Sequence, residues 1–168
     1  MKRLSILLAG SALAVSAQAI DWVEVSESNS GSVFSIDVES IESSDISIID
    51  EKDVENITVA MLREYPVAKE KEKDKKSDSA KTNAPKKDSI HHSEQQLLIS
   101  CKDASYYRRA YVNYNADNKV IKSWQSEKPI LTTKDFKITT PKTVGRTLIE
   151  QSCDYYEQAK VQSKTPAS

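Results

Sequence analysis

The stretch Gln96–Asn115, QLLISCKDASYYRRAYVNYN, decides the fold. An apolar run ends at Cys101, a short polar link follows, and a second run rich in tyrosine and arginine begins at Tyr106. Read as extended chain, Leu97, Ile99 and Cys101 project to one side, Leu98 and Ser100 to the other. Strict alternation in the second run puts Tyr106, Arg108, Ala110, Val112 and Tyr114 on one face. It puts Tyr107, Arg109, Tyr111 and Asn113 on the opposite face. The turn formers of NADN (115–118) then lead into KVIKSW (119–124). Two consecutive antiparallel hairpins follow from this spacing.

Upstream, DWVEV (21–25) alternates, GSVFSID (31–37) follows a Ser/Asn/Gly turn cluster, and NITVAMLREY (56–65) is β-branched and apolar until Pro66. The short DISIID (45–50) is a candidate extra strand. Downstream, Thr140 is placed to cap a helix, Pro141 suits its first position, and Val144 begins an amphipathic repeat. At 100° per residue, Val144, Gly145, Leu148, Ile149, Cys153, Tyr155 and Tyr156 fall in one half of the wheel. Gly145 stands near the middle of that half, where a missing side chain favours close approach to the sheet. The expected class is α+β: an antiparallel sheet of about five to six strands packed by one C-terminal α-helix.

The chain opens with Lys2 and Arg3, an apolar run from Leu4 to Val15, and Ala17-Gln18-Ala19. A basic start, a short apolar stretch and an A-x-A site read as a Sec signal peptide over residues 1–19. The run falls short of the roughly 20 residues of a membrane span. No transmembrane segment is expected, and the processed chain is expected to be exported.

In such an oxidising compartment Cys101 and Cys153 are expected to pair, and their spacing lacks the C-x-x-C of a redox motif. Cys101 closes a strand and Cys153 lies on the apolar half of the helix, so the bond ties helix to sheet. Residues 20–160 form one domain. Inside it, AKEKEKDKKSDSAKTNAPKKD (68–88) holds eight lysines and five acids and nothing larger than alanine to enter a core. It is expected to be a disordered loop, and residues 161–168 a disordered tail.

Charge and motif content exclude several classes. With 24 basic and 25 acidic residues the chain lacks a field for nucleic acid. The mature part has only Gly31 and Gly145, too few for a phosphate-binding loop. The adjacent His91 and His92 are expected to point to opposite faces, away from a shared metal. Acid pairs such as Asp37 with Glu39 and Asp50 with Glu51 arise by chance in a chain with 25 acids, and none stands in an apolar setting that would raise a pKa. No enzyme, metal or cofactor is therefore expected, and Asn56-Ile57-Thr58 reads as a chance sequon within a strand.

DWVEV, GSVFSIDVESI, LLISCKDASYY, NKVIKSW and TPKTVGRTLIEQSC occur in that order along most of the mature chain. In this order, with the two cysteines, the sequence resembles the surface-adhesin protein E family of Gram-negative bacteria. The resemblance implies a sheet packed by a C-terminal helix, a place in the periplasm or at the surface of a Gram-negative cell, and attachment to host extracellular-matrix or plasma proteins. A bacterial envelope partner, met as a periplasmic interaction or inhibitor protein, is the other reading. The partner-binding candidates gather around Cys101: Lys86, Lys87, His91, His92, Lys102, Tyr107, Arg108, Arg109 and Tyr111. Arginine and tyrosine offer large contact area and donors at modest entropic cost. Trp22, Trp124, Tyr106 and Tyr114 are expected in the core.

Overall fold

A computed structural model describes residues 20–50, 54–66 and 89–163. The expected signal peptide, the lysine-rich stretch 68–88 with Lys86 and Lys87, and residues 164–168 of the expected tail lie outside them.

The chain folds as an antiparallel meander in which each strand pairs with the next. The strands are β1 (Trp22–Glu27), β2 (Val33–Ser44), β3 (Asn56–Glu64), β4 (His92–Ser100), β5 (Ser105–Tyr114) and β6 (Val120–Gln125). A two-residue strand, β7 (Lys137–Ile138), adds to the start of β5, and helix α1 (Val144–Ser163) ends the fold. This is the expected α+β class with one C-terminal helix. The helix runs through Ser163, beyond residue 160, where the domain was expected to give way to a tail.

Local chemistry fixes the turns. Gly31 closes β1 onto β2 at a φ of 82°, and its N–H donates to the Ser28 carbonyl at 2.8 Å. Only glycine enters that backbone region without steric cost. Between β5 and β6, the Asn115 side-chain oxygen accepts from the N–H groups of Asp117 and Lys119 at 3.0 and 2.9 Å, while Asn118 takes a φ of 56°. An asparagine that imitates a backbone acceptor nucleates such a turn. In β2 the pairing with β3 breaks between Asp37 and Glu42, and there the Ser40 hydroxyl accepts from the Ala60 N–H at 2.8 Å. A side chain thus replaces the missing ladder partner, keeping a backbone donor satisfied.

Helix α1 lies across β1, β2 and β3. Ile36, Ile57, Val59, Leu97 and Ile99 from the sheet meet Leu148 and Ile149 from the helix, all at most 4 % exposed. Burial of each such side chain contributes roughly 1.5–3 kcal/mol. Ser152 shares this buried face because its hydroxyl donates to the Leu148 carbonyl at 2.8 Å, one turn back.

Three details of the helix differ from expectation. Thr143, not Thr140, caps it: the Thr143 Oγ1 accepts from the Arg146 N–H at 3.3 Å. Pro141 lies in the turn before the helix, since a further hydrogen bond from Thr143 Oγ1 to the Thr140 carbonyl folds that turn first. Gly145 is exposed, and a Cβ there would meet only Thr139 Cγ2, at 3.6 Å.

Cys101 and Cys153 form a disulfide with their Cα atoms 5.9 Å apart. Cys101 is exposed in the turn directly after β4, and Cys153 packs against the helix-side core. The bond closes a separation of 52 residues and joins the β4–β5 turn to the middle of α1.

The opposite face of the sheet carries a second, smaller core of Ile48, Leu98 and Leu131, against which Tyr107 and Phe136 pack. The DISIID segment reaches it with a single bridge, Ile48 to Leu131, rather than as a strand. Asp50 accepts from the Thr133 N–H and hydroxyl at 2.8 and 2.7 Å, which lowers the pKa of its carboxyl below the usual value. Among the described residues, no helix is long and apolar enough to cross a membrane.

Candidate partner-binding site

The site begins with one extra residue in β5. Along the β4–β5 pair, Gln96 faces Ala110 but Leu97 faces Arg108, so Arg109 has no cross-strand partner. It is the extra residue of a β-bulge, and its carbonyl accepts from the Ser126 N–H at 2.7 Å. An inserted residue shifts the alternation by one, exchanging faces for everything beyond it. Arg108 and Tyr111 therefore share a face, contrary to the expectation from strict alternation. The Arg108 guanidinium stands 4.8 Å from the centre of the Tyr111 ring. That ring stacks in turn on Trp124 of β6, with centres 6.0 Å apart and planes 26° apart.

Trp124 is 43 % exposed, not in the core. Strand β6 is the last of the meander and is exposed throughout, so the side chains on it have no second layer to pack under. Trp22 and Tyr114 are half-buried, as is Tyr106, which packs against the helix-side core.

Beside Arg108, a cavity of about 180 Å³ opens between the start of α1 and the sheet. Met61, Leu97, Leu148 and Ile149 form its apolar side, and Phe34 and Tyr106 its aromatic walls. Gln95, Arg63 and Arg108 supply its polar groups, with Gly145 of the first helical turn at the edge. Arg63 is held by the rings of Phe34 and Tyr65, at 5.2 and 4.3 Å, and donates from Nη2 to Ser32 Oγ at 3.3 Å. Its Nε is buried without a hydrogen-bond partner. Among the described residues the ion pairs are made by Lys128, Arg146 and Lys160, and neither Arg63 nor Arg108 joins a carboxylate. The first turn of α1 contains no acid to offset its positive end.

The other candidates are dispersed. Tyr107 lies on the far face, packed in the second core, with its hydroxyl 2.6 Å from that of Ser126. Arg109 is half-buried in the bulge, and Lys102 is exposed in the β4–β5 turn. His91 and His92 sit at the start of β4, where His92 stacks on Tyr114 with centres 4.6 Å apart. Their Nδ1 atoms approach to 3.4 Å, so the pair converges instead of diverging. His91 precedes the strand, with its N–H donating to the Tyr114 carbonyl at 2.8 Å and its carbonyl accepting from the Tyr65 N–H at 2.9 Å. Among the described residues no group of three or more His, Cys, Asp or Glu is placed to hold a metal. Tyr114 titrates above the usual tyrosine value because of burial and the nearby Glu94 carboxylate.

Arg63 escaped sequence reasoning. Its signal is present, since Ile57, Val59, Met61 and Arg63 are spaced by two and the first three enter the core. An arginine that ends an inward-facing series is aimed at the same interior.

No known protein-family model matches the chain, and comparisons with curated proteins and with solved structures yield no match either.

Proposed function

We propose that this chain is an exported, non-catalytic protein-binding module that meets its partner through the helix-side face of β5 and β6. The observation that carries this reading is the stack of Arg108, Tyr111 and Trp124, a cation over an aromatic pair at the sheet's edge in which Arg108 and Trp124 are exposed and Tyr111 is half-buried. Tyrosine, tryptophan and arginine are enriched among the residues that dominate binding energy at protein interfaces: the two aromatics bury much area with few rotatable bonds, and arginine presents a planar fork of donors. Among the described residues no strand pairs with the outer edge of β6, which leaves that edge available to a partner. The resemblance to surface-adhesin protein E suggests host matrix or plasma proteins as the partner class.

The test is surface plasmon resonance with the disulfide-bonded chain from Ile20 onward over immobilised vitronectin, laminin and plasminogen. Saturable binding to one of them, weakened at least tenfold by Arg108→Ala and by Tyr111→Ala, is expected. Absence of binding to all three removes host attachment, and equal binding by the variants removes this face.

A further inference from the structure

Half-buried Arg63 and exposed Arg108 both line one small cavity, and neither is paired with an acid among the described residues. Positive charge in a partly apolar setting is costly unless an opposite charge or hydrogen-bond acceptor is supplied. Arg63 is partly compensated by the two ring faces and one hydroxyl, yet its Nε is shielded from solvent with its donor unused. Arg108 approaches the same space from the next strand but one, and Gln95 lies on the strand between them. The Gly145 end of α1 adds the positive pole of a 20-residue helix.

We infer that this cavity is a binding site for a carboxylate carried on a small apolar group. A guanidinium fork matches the two oxygens of a carboxylate in one plane, and charge-assisted hydrogen bonds of this kind are about twice as strong as neutral ones. Beyond the charged rim, Met61, Leu97 and Leu148 offer apolar contact. At about 180 Å³ the space is smaller than the roughly 300–1,000 Å³ of usual small-molecule sites. It therefore suits one side-chain-sized group, either a free short acid or the last residue of a peptide. The inference goes beyond partner binding at the β6 edge, and the two are separable although they share Arg108.

The probe is N-acetyl-L-leucine, with its carboxamide as the uncharged match, titrated into the ¹⁵N-labelled, disulfide-bonded chain and followed by amide NMR shifts. Saturable shifts at Leu97, Arg108 and Gly145 are expected, with the carboxamide at least tenfold weaker. Arg108→Gln is expected to weaken the acid at least tenfold while leaving distant amides in place, and Lys122→Gln on β6 is expected to change nothing. Gly-Gly-Leu distinguishes the sources: tighter binding than N-acetyl-L-leucine assigns the site to a chain terminus, weaker binding to a free acid. Equal shifts from acid and carboxamide, no saturation, or an unchanged Arg108→Gln overturns the site. Failure of this titration with intact binding to a protein partner sinks only the carboxylate site. The reverse result sinks only the proposed function.

Discussion

Arg108 lies over the ring of Tyr111 at 4.8 Å, although the two stand three positions apart along one strand. In a regular strand an odd separation sends two side chains to opposite faces. The bulge at Arg109 supplies the extra residue that brings them together and turns both toward the helix side of the sheet. Deleting Arg109 removes the extra residue and leaves Arg108 and Tyr111 two positions apart in a regular strand, so Tyr111 is expected to stay beside Arg108 and on Trp124, while loss of the Ser126 N–H bond to the Arg109 carbonyl lowers stability by about 1 kcal/mol. Chemical denaturation and near-ultraviolet dichroism of the deletion variant check both effects.

The disulfide joins the β4–β5 turn to α1 across 52 residues. A loop of that length corresponds to roughly 4 kcal/mol of chain-entropy stabilisation. The double variant Cys101→Ser, Cys153→Ser is expected to lose about 2–4 kcal/mol and to melt on the order of 10 °C lower. Calorimetry of the oxidised chain beside the double variant measures it. A melting temperature unchanged by the substitution contradicts the assigned role of the bond.

Gly145 is exposed at the start of α1, with only Thr139 Cγ2 near a hypothetical Cβ. Glycine costs a helix up to about 1 kcal/mol relative to alanine, and less in the first turn. Gly145→Ala is expected to be neutral or to stabilise by about 0.5 kcal/mol. A loss of stability in urea unfolding would show a close approach that the structure lacks. By contrast, Ile149→Ala removes a side chain only 1 % exposed between helix and sheet, and a loss of about 2–5 kcal/mol is expected.

Asp135 is held down to about 2 from an ordinary 3.8, first by its hydrogen bond to Lys128 and then by the Thr132 N–H. The folded chain thus binds this proton less readily than the unfolded chain. The associated stability is complete above pH 3.8 and disappears as pH falls through about 2. The stability difference between the wild type and Asp135→Asn is expected to be level above that window and to shrink within it. Glu55 adds in the same direction, lowered by Lys160 at 2.6 Å and then by the Tyr156 hydroxyl. A difference that grows on acidification contradicts these assignments.

The meander, the helix and the disulfide were legible because each rests on a local pattern. Alternation marks β4 and β5, NADN marks the turn, the helical wheel marks Leu148 and Ile149, and two cysteines without C-x-x-C spacing have few alternatives to pairing. The site was less legible because it depends on the exception to alternation at Arg109, which no property of that residue announces. The two faces assigned to Tyr106–Tyr114 hold up to Arg108 and exchange after it. Trp124 looked like core because its run alternates, yet position at the end of the meander decides its exposure. Tyr107 was grouped with Tyr111, while the long return to β7 covers it with Phe136, a contact between segments distant in the sequence.

The register of β5 is tested most directly by nuclear Overhauser effects to the Tyr111 ring in the isotope-labelled protein. The bulged strand places the side-chain protons of Arg108 against that ring, so cross-peaks from Arg108 are expected and from Arg109 are not. Cross-peaks from Arg109 in their place would mean an unbroken strand, with Arg108 on the other face and no basic, aromatic stack beside the cavity.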